Sequence, residues 1–271
     1  MTTTSPECTV PLTTKRDAGS PLQICLRQRI SLMCMFILIV FASSDIRATD
    51  KSGALTLGVT QAAETISDSN LLYPQNPMWN TIAENPLHLN RTPPIYDGDP
   101  QDDGKRPTAS IRLCRTTGDD LVIRVNWTDP TEDKRTDAVR YPDAGASHIY
   151  EMHSQATDRF PDAFCAMVPV TRGAAKTYPS MMMGSTDNPA ELYYWRAGTG
   201  FQFLNAHGRA STSETKIAIR GTATRQNDGY VIVMVLPNMS PRTPVCFAIW
   251  NGADKQRDGM KYTSLWYEVE R

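Results

Sequence analysis

The side chains able to do chemistry in this 271-residue chain are few and widely spaced. Its nearest histidine pair is His148 and His153, in HIYEMH. An i,i+5 spacing puts two ligands on one face of neither a helix nor a strand. No third ligand lies close and HExxH is absent, so both read as polar loop residues. His88 and His207 stand alone and read as surface or polar core positions. Without GxSxG, a P-loop or GxGxxG, acyl transfer and nucleotide chemistry have no support. Acidic neighbours such as Asp119-Asp120 sit in turns and form no acid–base pair. Cys114, Cys165 and Cys246 are scattered, and no CxxC or CxxCH occurs. That disfavours a zinc ribbon, an iron–sulfur cluster and covalently attached haem.

Two further positions can donate to a metal. Met181-Met182-Met183 precede Gly184, a turn-forming STDNP and the strand AELYYWRA. Consecutive residues of a strand alternate faces, so one methionine, at the strand end before the glycine, can point its thioether into a pocket. Taken alone, the run reads as adaptable core filler. Lys261 opens a strand after a polar loop, and taken alone is a solvated lysine at a strand edge.

The elements that must carry these residues read mainly as strands. Ala54–Val59 is a short first strand, and strand character runs from Ile111 onward. Leu121–Trp127, Ala163–Val170, Ala190–Ala197, Val245–Trp250 and Thr263–Val269 follow. The clearest pair is Lys216–Thr224 with Tyr230–Leu236, joined through Asn227-Asp228-Gly229, a tight-turn signal. Helix is expected only in short pieces, such as part of 144–158. Many strands at short spacing predict an all-β antiparallel sandwich. Residues 70–107, rich in Pro, Asn and Asp, read as an ordered irregular arm or long loop with Trp79 as its anchor.

The uncharged run Ile30–Ala42 is 13 residues long, short of the roughly 20 that span a membrane. Preceded by basic residues and followed by Ser43 and Ser44, it reads as a signal peptide over residues 1–44, or a retained N-terminal anchor. Export to the periplasm or an equivalent compartment is expected, with residues 45–271 as a single domain. One disulfide is then open, with no pair indicated. The net charge is -1, and no basic run offers a nucleic-acid surface.

Several segments in order carry a resemblance: Trp127-Thr128-Asp129; Phe160-Pro161-Asp162-Ala163-Phe164 to Val168-Pro169; Met183-Gly184 with Pro189 and Trp195; VCFAIWNG over 245–252; and Gly259, Lys261, Ser264 and Trp266. Together they resemble the gamma subunits of the ethylbenzene dehydrogenase group of molybdoenzymes. That group includes selenate, chlorate and nitrate reductases, dimethylsulfide dehydrogenase and the nitrite oxidoreductases. The resemblance covers about residues 110–271. It implies an antiparallel β-sandwich similar to carbohydrate-binding modules, holding one haem b between Met183 and Lys261 as axial iron ligands. Met182 is the alternative if the register slips by one. Haem-propionate partners are not implied.

The same resemblance implies a non-catalytic electron-transfer subunit. Its partners would be a molybdopterin catalytic subunit, an iron–sulfur subunit and a cytochrome c, with the nitrite/nitrate branch favoured. A lysine coordinates iron only as the neutral amine, and both burial and the metal's charge work toward that form. Trp195, Trp250 and Trp266 line the cofactor or fill the core, at least two of them as core. The alternative from another class is an exported carbohydrate-binding β-sandwich module without haem. A stand-alone sugar-oxidoreductase cytochrome would need a histidine near position 261, and none is there.

Overall fold

The strands over Ala163–Pro169, Gly229–Leu236 and Pro244–Trp250 are buried along their whole length for a particular reason: both of their faces are covered. The computed structural model describes residues 55–61, 68–94, 100–134, 160–173, 177–208 and 211–270. The leader (1–44), the His148/His153 pair and the helix expected within 144–158 lie outside the described residues. All described residues belong to the unit Val40–Arg271.

The strands in chain order are β1 (Leu55–Leu57), β2 (Thr60–Gln61), β3 (Asn85–Pro86), β4 (Asn90–Arg91), β5 (Ala109–Arg115), β6 (Leu121–Thr128), β7 (Ala163–Pro169) and β8 (Ala190–Arg196). They continue with β9 (Gly200–Ala206), β10 (Thr212–Thr215), β11 (Gly221–Gln226), β12 (Gly229–Leu236), β13 (Pro244–Trp250), β14 (Tyr262–Thr263) and β15 (Tyr267–Val269). Among the described residues, sheet one runs β1-β15-β13-β7-β8-β9-β10, with β14 and β4 continuing beside β13. Sheet two runs β11-β12-β6-β5-β2, with β3 also on β5. Pairing is antiparallel except for β1 with β15 and β2 with β5. The expected all-β sandwich is therefore what the chain builds.

Alternation sorts the side chains. Phe164, Ala166 and Val168 of β7 and Val245, Phe247 and Ile249 of β13 meet Ile123, Val125 and Trp127 of β6 between the sheets. Their neighbours Ala163, Cys165, Met167, Cys246, Ala248 and Trp250 form a second apolar layer on the outer face of sheet one. A third layer, around Trp79, Cys114, Val122 and Val233, lies outside sheet two.

Strand limits differ from expectation where the chain changes sheet or bulges. Lys216–Arg220 was expected within a strand but is the crossover from β10 in sheet one to β11 in sheet two, and Ile217 there is exposed. The strand expected over Thr263–Val269 is interrupted. Ala248 pairs Thr263 and Val245 pairs Tyr267, so Ser264, Leu265 and Trp266 oppose only Cys246 and Phe247. That is one extra residue, a β-bulge, with Leu265 turned out to solvent. β9 and β10 had no sequence forecast: Gln202 and Asn205 interrupt the apolar pattern of β9, and β10, TSET, has none.

The arm is ordered by contacts at both ends. Trp79 is buried in a 3-10 turn (Pro77–Thr81), its Nε1 donating to Leu71 O at 3.1 Å. The Arg112 guanidinium donates to Trp79 O and Ile82 O. The arm joins sheet two through β3 and sheet one through β4, so it straps the two together.

Candidate cofactor site

The outer apolar layer of sheet one is not fully closed. A narrow cleft opens on it, lined by Cys165, Met167, Met181, Met183, Leu192, Cys246, Phe247, Ala248, Trp250, Lys261 and Thr263. β7, β8 and β13 supply the floor, the methionine segment one wall, and β14 with Lys261 another. Met183 and Lys261, far apart in sequence, face one cavity.

Met183 reaches the cleft from a turn, not from a strand end as expected. Gly184 N donates to Ser180 O at 2.8 Å, closing one turn over Met181–Met183. Met183 has φ 70°, a left-handed conformation uncommon for a residue with a side chain. Gly184 also has φ 70°, and a Cβ there would meet Asn188 O at 2.9 Å and Ala190 N at 3.0 Å. Only glycine fits. Gly208 N donates to Met183 O at 2.9 Å, and Thr212 Oγ1 approaches Met183 Sδ at 3.9 Å. The turn is moored through Trp266, whose Nε1 donates to Pro179 O at 3.2 Å and whose ring stacks on Tyr178. The turn also changes which methionines share a wall. Met181 and Met183 both line the cleft, and Met182 does not.

Lys261 is 3% exposed, so it is not the solvated edge lysine its sequence context suggests. Its Nζ lies 5.2 Å from the centre of the Trp250 ring. Its backbone is held by the arm: Lys261 N donates to Thr92 Oγ1 at 2.8 Å, and Thr92 N donates to Lys261 O at 2.9 Å. Thr92 had no sequence signal, since its partner is 169 positions away.

Three cysteines are free and buried: Cys114 under the arm, Cys165 and Cys246 in the cleft floor. Burial pushes all three thiols up, Cys114 to about 11. They stay protonated and offer no thiolate ligand. Among the described residues no disulfide forms. No cluster of three or more His, Cys, Asp or Glu able to hold a bare metal ion occurs among them either. His88 and His207 are exposed.

The tryptophans divide as follows. Trp195 fills the inter-sheet core, Trp250 lines the cleft, and Trp266 anchors the methionine turn. Outside sheet two lies a polar groove around Glu84, Arg112, Arg124 and Asn126. Trp127 and Tyr230 at its margin are 2% and 3% exposed, so they present no ring for a sugar to stack on.

The donor set in the cleft is a soft thioether and a primary amine, in an apolar setting with no acidic side chain in the lining. It suits an iron porphyrin, which brings its own four nitrogens and wants apolar walls with two axial donors. It does not suit a hard cation, which wants oxygen ligands.

A sequence model of the family described as ethylbenzene dehydrogenase matches residues 77–230, more than half of the chain. The chain belongs to the ethylbenzene dehydrogenase family. The match includes Met183 and stops before Lys261. A protein of Haloferax mediterranei assigned as respiratory nitrate reductase heme subunit ORF7 is 28% identical over 207 residues. That alignment covers 72% of this chain and 66% of the relative, just under two thirds of its length. Dimethylsulfide dehydrogenase subunit gamma of Rhodovulum sulfidophilum is 24% identical, over 71% of this chain and 72% of its own. Chlorate reductase subunit gamma of Ideonella dechloratans is 29% identical, over 42% of this chain and 52% of its own.

Proposed function

We propose that this chain binds one haem b between Met183 and Lys261 and serves as the non-catalytic electron-transfer subunit of a molybdenum oxidoreductase complex. The observation that carries the reading is the convergence of these two donors on one apolar cleft of a family member. A relative described as a heme subunit and two described as gamma subunits support the same role.

A haem held there supplies a one-electron couple. Met183 presents a neutral, soft sulfur, which favours reduced iron and raises the potential. Lys261 would hold the iron as the neutral amine; the Trp250 ring faces its Nζ and Thr92 fixes its backbone. With Met183 and Lys261 both holding the iron, such a haem would offer no place to substrate, so the chain would relay electrons and not transform substrate. Its partners are a molybdopterin catalytic subunit, an iron–sulfur subunit and a cytochrome c. The nitrite/nitrate branch is favoured by sequence resemblance, and the Haloferax relative is in keeping with it. The apolar run Ile30–Ala42 supports export.

Reduced and oxidised absorption spectra with a pyridine haemochrome assay test the reading. Wild-type protein should carry one non-covalent haem with a low-spin b-type spectrum, lost or converted in Lys261→Ala and Met183→Ala. A colourless wild-type chain that binds glycans would overturn it.

A further inference from the structure

Asp129 and Asp162 are 1% and 0% exposed, at the end of the sandwich from which the Lys261 loop departs. Asp162 already has three donors. Oδ1 accepts from Gly252 N at 2.9 Å, and Oδ2 accepts from Asp133 N at 2.8 Å and Tyr230 Oη at 2.9 Å. Asp129 Oδ1 accepts from Thr131 N and Oγ1 at 3.2 and 3.0 Å, but its Oδ2 is buried with no donor. The two carboxyl groups are near enough for each to act on the ionisation of the other. A buried carboxylate oxygen without a donor is costly, whereas a carboxylic acid there can donate its own O–H. One proton held between the two carboxyl groups meets that need and spares the pair a double charge.

We propose that Asp129 and Asp162 share one buried proton and act together as a positioning clamp for Lys261. This rests on reading Lys261 as an axial ligand. The clamp acts at Gly252. A Cβ at Gly252 would lie 1.8 Å from Phe160 O, so the loop is pressed against residues 160–162 with no slack. From that point Asn251 N bonds Gln256 Oε1, Trp250 Nε1 bonds Asp258 O, and Met260 N bonds Arg257 O, each near 3 Å. The loop is stiff, so where Gly252 is held decides where Lys261 emerges.

Burial pushes Asp162 up to about 7, and the charge of Asp129 adds to the push. Burial also raises Asp129. Among the described residues, the other titratable groups facing the pair are Asp133, Tyr230 and Arg225. Tyr230 is pushed up by burial and remains a donor. Arg225 donates to Asp129 O at 2.7 Å, and its charge works against the rise of Asp129. Loss of the shared proton sets two carboxylates side by side in the interior, where they repel. The clamp then opens at Gly252.

The test uses the full-length haem-loaded protein as wild type, Asp129→Asn and Asp162→Ala, at pH 5.5 and 8.5. The amide introduced by Asp129→Asn would donate an N–H to Asp162 at both pH values. Readouts are hydrogen–deuterium exchange of residues 250–262, corrected for intrinsic rate, and the low-spin fraction of the absorption spectrum. In wild type, exchange should rise about tenfold or more at pH 8.5, the change expected once the pH stands at least one unit above the pKa of the pair's last proton, while the low-spin fraction falls. Asp129→Asn should abolish both changes, and Asp162→Ala should exchange fast at both pH values. An Asp129→Asn protein with wild-type pH dependence overturns the clamp. Should that variant not fold, flat wild-type exchange between the two pH values overturns it as well. A wild-type chain without haem sinks the axial-ligand reading, and the exchange arm still decides whether the clamp exists.

Discussion

Met183 holds a left-handed backbone without being glycine, a conformation that costs on the order of 1–2 kcal/mol. It persists because Gly184 N, Gly208 N and the Trp266 mooring determine the turn around it. Strain of this kind at a cleft wall marks a position set for its side chain. Met183→Ala should therefore lower the haem potential or lose the haem, read by potentiometric titration. Met182→Ala should leave spectrum and potential as in wild type. Met181 is not a neutral control, since the turn places it in the cleft wall. Gly252→Ala should fail more severely: a Cβ 1.8 Å from Phe160 O has nowhere to move except by displacing the loop that carries Lys261. Soluble yield and haem content of that variant should both collapse.

At the scale of elements, the arm and the bulge place the lysine. The bulge at Ser264–Trp266 lets Thr263 and Trp266 both face the outer layer, while Tyr267 turns into the core. The arm adds Thr92, whose hydroxyl donates to Gly259 O at 2.7 Å and accepts from Lys261 N. Thr92→Val keeps the shape and removes these bonds, each worth about 1 kcal/mol. It should loosen Lys261 without unfolding the protein, seen as partial loss of the low-spin spectrum at an unchanged melting temperature within a few degrees. Trp79→Ala removes the arm's anchor and should cost about 3–5 kcal/mol in denaturant unfolding.

For the molecule as a whole, the acid pair ties stability to pH. Asp162 has a folded pKa raised to about 7 from an ordinary 3.8. Between those values the folded state binds more protons than the unfolded chain, so stability falls as pH rises through that window. The slope should be on the order of 1 kcal/mol per pH unit, measured by urea unfolding from pH 4 to 7. Asp129→Asn should flatten it. The covered outer face of sheet one is the second whole-molecule feature. Most two-layer sandwiches alternate apolar-in and polar-out, and here β7 and β13 are apolar on both faces because one face floors a cleft.

Sequence by itself determined the all-β class, most strand positions, the tight turn at Asn227-Asp228 and the arm with its Trp79 anchor. These follow from local alternation, turn chemistry and one large apolar side chain in a polar stretch, all readable over a few neighbouring residues. It also nominated Met183 and Lys261, through an ordered series of segments resembling a family. Only the tertiary structure decided that the methionines form a turn, that Lys261 is buried, that Thr92 holds it, and that Asp129 meets Asp162. Each of these depends on contacts between residues far apart in the chain. Burial is a property of what packs against a residue, and no local pattern records which distant strand that will be.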